Sequence, residues 1–130
     1  MPIMNSLHTI NRTLVGPLDL AAAGSTSADI NLAKVGADSV TIVLKVGFGA
    51  SPDEDVIFNF YTSVDSGVNY TNAPFSSIEI TRVASSSQSK DVTFSGKPLI
   101  QMISTNSDST DAVTLESTYS YQKFGDAARG

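Results

Sequence analysis

Several residue types that support catalysis or covalent cross-linking are missing or rare in this chain. Cysteine is absent, which excludes disulfides, thiolate zinc sites and a cysteine nucleophile. Tryptophan, a frequent platform for sugar rings, is absent too. The single histidine, His8, has no neighbouring pattern that marks a catalytic base held between a nucleophile and an acid. We therefore expect no enzyme, no metal site and no cofactor, with a small hydrolase dependent on His8 as a rival hypothesis.

Charge is also scarce. Only 16% of the residues are charged, the eight basic residues are scattered, and the net charge is −5. Since nucleic-acid surfaces need clustered Lys and Arg to neutralise phosphates, we expect no nucleic-acid partner. No apolar run reaches the roughly 18 residues that a membrane-spanning helix requires. The first residues also lack the charged and apolar regions of a secretory signal, so we expect no signal peptide and no membrane partner. The absence of cysteine suits assembly in a cytosol.

Serine and threonine are abundant: together they account for 31 of the 130 residues. This composition, with short runs that alternate apolar and polar residues between turn signals, is typical of β domains. We predict a single all-β domain, an antiparallel β-sandwich or jelly roll of about eight strands without a helix. The predicted strands are Leu7–Val15, Ser25–Val35, Val40–Val46, Val56–Val64, Phe75–Val83, Asp91–Gly96, Lys97–Thr105 and Ala112–Phe124. Residues 7–124 form the domain, 1–6 a flexible arm, and 125–130 a tail.

The stretch Asp38–Asp65 is predicted to organise the fold. It contains two strongly apolar strands around the glycine- and acid-rich connection GFGASPDED. We interpret these strands as a central pair, since both carry apolar residues on two faces. Val43 or Ile57 should then lie under another strand, an arm or a neighbouring subunit.

Acidic residues gather in three predicted loops: around Asp53, at Asp65 with Asn69, and at Asp108 with Asp111. Calcium takes carboxylate, amide and carbonyl oxygens, so a calcium site stays open as a hypothesis. None of the loops has the spacing of a calcium-binding EF-hand. Asp and Asn side chains also cap turns, and we favour that interpretation.

Aromatic side chains and the termini are the predicted contact surfaces. Exposed aromatic rings favour protein contacts. They can also stack on sugars, so a carbohydrate-binding module or adhesin that uses Tyr70 or Tyr121 stays an alternative. The segments expected to bind a partner are the N-terminal arm, the loop Asp65–Phe75 and the tail. The predicted partner-binding residues are Pro2, Ile3, Met4, Leu7, Tyr70, Phe75, Tyr121 and Phe124.

Two segments of the sequence resemble small β-sandwich virion proteins of tailed bacteriophages. FNFYTSVDSGVNYTNAPFSSIEI has a strand ending in YTS-D, a Gly/Asn turn and an aromatic before the next strand. KPLIQMISTNSDSTDAVTLESTYSY has a strand, a polar turn and a long closing strand. With LDLAAAGSTSADINL and GADSVTIVLKVG, the likeness covers most of residues 18–122.

The resemblance implies a non-enzymatic structural protein of a phage particle. A capsid decoration (cement) protein is the first expectation: a homo-oligomer that binds the major capsid protein on the virion surface. A neck, tail or head-fibre component is the alternative within the same class, with another virion protein as its partner. The family supplies no catalytic residues.

Overall fold

The computed structural model describes residues 7–63, 65–108 and 110–124, with the backbone alone described at Leu7, His8, Lys123 and Phe124. This part of the chain forms eight strands and one short helix. In chain order they are β1 Leu7–Leu20, β2 Ser25–Asn31, α1 Leu32–Val35, β3 Ser39–Gly47, β4 Val56–Thr62, β5 Ser76–Ile80, β6 Ser87–Ser95, β7 Leu99–Asn106 and β8 Val113–Phe124.

The strands form two four-stranded antiparallel sheets. Sheet A has the order β1-β8-β3-β6, and sheet B has the order β2-β7-β4-β5. β1 pairs with β8, β2 with β7, β3 with β6 and β4 with β5. This is the pairing of one long hairpin rolled into two layers, the jelly-roll arrangement. The all-β class, the sandwich architecture and the strand number predicted from the sequence are confirmed.

The core lies between the sheets and follows the two-residue period of the strands. In β3 the inward side chains of Val40, Ile42, Leu44 and Val46 are at most 1% exposed. The outward positions between them are polar or partly exposed. Sheet B closes the core from the other side with Phe58, Phe60, Ile80, Ile100 and Met102.

The interpretation of Asp38–Asp65 as one strand pair was wrong. β3 and β4 are both central strands, but they belong to opposite sheets. β3 pairs with β6 and β8, because the connection after Gly47 crosses from one layer to the other. We also expected Val43 or Ile57 to be covered. Val43 is not covered within the described chain, since it is 42% exposed. Ile57 is half-buried on the outer face of sheet B.

Among the predicted strand ends that were wrong, two lie in the edge strands of sheet A. Gly16-Pro17 does not end the first strand: β1 continues to Leu20 with irregular register between Val15 and Leu18. A bulge with proline is tolerated there because β1 is an edge strand. At the edge of sheet A, β6 begins at Ser87, whereas the strand was predicted to begin at Asp91. Its exposed side chains gave no apolar alternation.

The segment LAKV, predicted as part of a strand, forms the single helical turn α1. The side chain of Asn31 accepts a hydrogen bond from the Lys34 N–H (2.9 Å) and caps the start. Gly36 ends the turn with a left-handed backbone (φ 72°), which glycine adopts without strain. Leu32 is fully buried and anchors the turn in the core. No helix in the described residues is long and apolar enough to cross a membrane.

The sandwich has two distinct ends. The end that carries α1, the β4–β5 connection and the β6–β7 connection is called the α1 end below. Leu7 and Phe124 lie opposite one another in the β1–β8 ladder at the same end, since β1 starts there and β8 finishes there. The opposite end carries the turn after Leu20 and the connections that follow β3, β5 and β7.

Candidate interaction surface

At the α1 end, α1 is fixed to the start of β7. The backbone N–H groups of Leu32 and Ala33 both donate to the carbonyl of Pro98, at 2.9 and 3.0 Å. The Gly96 N–H donates to the Asp38 carbonyl (3.0 Å), which fastens the β6–β7 connection to the residues after α1. The connection between β2 and β3, which contains α1, and the β6–β7 connection therefore form one supported surface.

The β4–β5 connection is ordered by side chains that bind its own backbone. The Ser63 hydroxyl, which is buried, donates to the Asp65 carboxylate (2.6 Å) and accepts the Gly67 N–H (2.9 Å). Asp65 also accepts bonds from the Asn69 backbone N–H (2.9 Å) and side-chain amide (3.0 Å). The Ser63 and Asn69 hydrogen bonds lower the pKa of Asp65 to about 2. Asp65 therefore caps the turn, which confirms the interpretation favoured from the sequence.

An open cleft of about 400 Å³ lies between α1 and the β4–β5 connection. Lys34 lines it from the α1 side, Ser63 and Ser66 from the β4 side, and Leu99 from β7. The β4–β5 connection also carries Val68, which is 77% exposed. Val68 is the most exposed of the large apolar side chains identified as exposed in the described residues. Such a side chain at a loop tip suits a contact with another protein.

The predicted partner-binding residues divide into three groups. Pro2, Ile3 and Met4 lie outside the described residues. The backbones of Leu7 and Phe124 pair with each other at the α1 end. Tyr70, Phe75 and Tyr121 have described side chains, and their positions differ.

Tyr70 is half-buried on the β4–β5 loop, where burial and the nearby Asp29 carboxylate raise the pKa of its hydroxyl. Phe75 joins the two layers: its ring lies 4.9 Å from that of Phe94 in sheet A and 6.4 Å from that of Phe60 in sheet B. Phe75 therefore has a packing role, although it remains partly exposed.

Tyr121 points into the core and is 6% exposed. Its ring stacks on that of Tyr119, with 6.1 Å between the ring centroids. The expectation that Tyr121 meets a partner is corrected by this burial, because the inner face of β8 closes the sandwich.

Acidic residues at the opposite end hold the backbone together. Asp108, 1% exposed, accepts bonds from the backbone N–H groups of Asp53 (2.9 Å), Thr110 (2.9 Å) and Asp111 (2.8 Å). These bonds hold the pKa of Asp108 well below its usual range. Among the described residues, no group of three or more His, Cys, Asp or Glu side chains is placed to hold a metal ion.

Two contributors to this surface were not identified from the sequence. Lys34 was assigned to a strand, so its place beside the cleft could not be foreseen. Val68 was read as part of a polar loop, and its signal was a lone apolar residue between Gly67 and Asn69.

No family model matches the sequence, and no curated protein matches it. Solved structures similar to the chain include the Yersinia pseudotuberculosis-derived mitogen, 10% identical, covering 95% of this chain and 89% of that one, TM-score 0.42. Family 16 carbohydrate binding module-2 is 10% identical and covers 84% and 75%, with a TM-score of 0.45. A chain of the T13 IBDV viral particle is 6% identical, TM-score 0.48, and covers 94% of this chain and 32% of that one. At such scores the likenesses carry no argument about function.

Proposed function

We propose that this protein is a non-enzymatic structural component of a phage particle, and specifically a capsid decoration protein. It would bind the major capsid protein as a homo-oligomer on the outside of the virion, after assembly in the host cytoplasm. A neck or tail position is the nearest alternative, and copy number separates the two.

One observation carries the proposal: the segments nominated for partner contact start from one end of the molecule. The loop Asp65–Phe75 lies at the α1 end, and the backbone of Leu7 faces that of Phe124 at the same end. The arm 1–6 and the tail 125–130 are joined to these two residues. A single partner surface could therefore engage the loop, the arm and the tail together.

The fold and the use of its acids support the same conclusion. Jelly rolls build viral capsid domains, although they also build lectins, so the fold alone is an analogy. Asp65 and Asp108, two of the most strongly perturbed carboxylates, are occupied by internal hydrogen bonds. Groups used in this way stabilise loops and are not poised for general acid or base chemistry.

The mechanism would be mass action. A protein that binds the assembled shell but not its separated subunits stabilises the shell in proportion to this difference in affinity. No covalent step is needed, and the fold itself does not have to change on binding.

The test is quantitative mass spectrometry of purified virions of the phage that carries the gene. A decoration protein is expected at a copy number similar to that of the major capsid protein. A handful of copies would indicate the neck or tail, and absence from virions would overturn the proposal.

A matched pair of variants tests the contact surface. Val68→Glu places a carboxylate at the α1 end, and Val83→Glu makes the same change on the loop after β5 at the opposite end. Because an unpaired charge is costly to bury, Val68→Glu should weaken binding to decoration-free particles by roughly tenfold or more. Val83→Glu should bind like the unmodified protein, and equal binding by both variants would contradict this contact surface.

A further inference from the structure

The outer face of sheet B carries a row of three polar side chains with unused hydrogen-bonding capacity. Asp29 on β2 lies opposite Gln101 on β7, and Gln101 lies opposite Tyr61 on β4. Asp29 is exposed, while the other two are half-buried. Within the described part of the chain, none of the three side chains makes a hydrogen bond, unlike the acids at the two ends of the sandwich.

The row opens directly into the cleft at the α1 end. Two residues further along the three strands are Asn31, Leu99 and Ser63, which line the cleft. Because a strand returns to the same face every second residue, row and cleft share one surface. The cleft volume of about 400 Å³ falls within the range of small-molecule sites.

The β4–β5 loop forms a wall beside this groove. Gly67 (φ 88°) lies so close to Leu99 that an added Cβ would be 3.1 Å from its Cδ2 atom. Tyr70, from the same loop, lies close enough to Asp29 for the two side chains to interact electrostatically. One end of the row is therefore flanked by a second phenol ring, in addition to that of Tyr61.

The charge of the groove limits the ligand. The four strands of sheet B contain no Lys or Arg, whereas they carry Asp29 and Glu79. Among the described residues that line the cleft, Lys34 is the one cation, so a phosphate-rich or heavily sulfated ligand would meet little positive charge there. A neutral ligand with many hydroxyl groups fits better, because carboxylate and carboxamide side chains bind hydroxyls and a phenol ring packs on apolar C–H faces.

We infer that this groove binds a neutral oligosaccharide. One sugar ring packs on Tyr61, Gln101 and Asp29 bind its hydroxyl groups, and the next unit enters the cleft beside Lys34 and Ser66. The site shares the β4–β5 loop with the contact made by Val68, but its hydroxyl-binding side chains lie on β2 and β7, and it does not depend on the virion assignment.

The experiment is a glycan array that holds neutral and acidic oligosaccharides, followed by titration of the best neutral binder. Gln101→Ala and Asp29→Ala should each lower its affinity by about tenfold, the effect of losing one or two hydrogen bonds to the ligand. Gln122→Ala and Asp91→Ala are matched controls on sheet A, and they should leave the affinity unchanged. NMR shifts on titration should be confined to β2, β4, β7 and the cleft.

Three results would overturn the inference. They are the absence of neutral-glycan binding at millimolar concentration, binding restricted to acidic glycans, and equal losses in the sheet A controls. Circular dichroism of each variant separates loss of a contact from loss of the fold. Val68→Glu should keep its sugar affinity, so a failure of the virion proposal and a failure of this site remain distinguishable.

Discussion

Replacing Asn106 with leucine should destabilise the end of the sandwich opposite α1. The Asn106 side chain is fully buried, and its amide donates to the carbonyls of Leu20 (3.3 Å), Ala21 (3.2 Å) and Asp111 (2.9 Å). Its oxygen accepts the backbone N–H of Asp108 at 3.1 Å. One side chain thus joins the turn after β1 to the connection between β7 and β8.

The magnitude follows from the groups left without partners. Leucine has the same number and branching of side-chain heavy atoms as asparagine but forms no hydrogen bond. The Asp111 carbonyl and the Asp108 N–H, whose bonds to Asn106 are the shortest, would each lose a partner at a cost of about 1–3 kcal/mol. We expect Asn106→Leu to lower the free energy of unfolding by about 2–6 kcal/mol, against a typical total of about 5–15 kcal/mol.

Urea unfolding followed by circular dichroism measures this change. Asn11→Leu is the matched control, because Asn11 is an exposed residue on β1 and the same substitution there should stay within about 0.5 kcal/mol of the unmodified protein. If Asn106→Leu lowered the free energy of unfolding by less than about 1 kcal/mol, the reasoning would be refuted. The hydrogen bonds of Asn106 would then stabilise the folded chain hardly more than water stabilises the same groups in the unfolded chain.

A second substitution at Asn106 distinguishes the effect of lost hydrogen bonds on stability from the effect of a changed side-chain shape. Asn106→Asp keeps the volume, but at neutral pH it turns a carboxylate oxygen toward three carbonyls. Protonation restores one donor, so this variant should be relatively more stable at about pH 5 than at about pH 7. Asn106→Leu should show no such difference from the unmodified protein over this range.

Three further predictions concern acid stability, a buried hydroxyl and the arm. Asp65 and Asp108 have folded-state pKa values below the reference of 3.8, so their stabilising effect is present above that pH and lost as pH falls toward 2. Asp65→Asn and Asp108→Asn should flatten this acid-induced loss in urea midpoints, while Asp38→Asn should not. The hydroxyl of Ser117 is buried without a partner in the described residues, so Ser117→Ala should raise the free energy of unfolding by about 0.5–1 kcal/mol, whereas Ser120→Ala on the outer face should not. Removal of residues 1–6 should abolish particle binding and leave the thermal midpoint unchanged, and a truncated protein that still saturates particles would disprove the role of the arm.

Local pattern was enough to find the strands. The alternation in AVTLESTYSYQKF and VIFNFYT reflects one face packed against a core, and that signal does not depend on the strand's neighbours. Edge strands were harder. The start of β6 and the end of β1 face solvent or contain a bulge, so their residues carry little apolar alternation.

Only some residues of the candidate surfaces could be identified from the sequence. The loop Asp65–Phe75 could be nominated because glycine, asparagine and aromatic residues cluster in it. The row of Asp29, Gln101 and Tyr61 could not, since its members are far apart in sequence and each looks ordinary alone. Tyr121 shows the reverse error, because a tyrosine on an alternating strand gives no sign of which face is inside.

The sequence by itself determined the number of strands and the absence of cysteine chemistry, and it favoured turn capping by Asp65, because these depend on composition and nearest neighbours. The tertiary structure decided which strands pair. The apolar patterns of β3 and β4 are compatible with pairing in one sheet. The two strands nevertheless lie in opposite layers, because the chain rolls up as one long hairpin. That wrapping places Leu7 and Phe124 together at the α1 end and joins three distant polar residues into a row. Long-range pairing is fixed by burial of the whole core, and no local stretch contains that information.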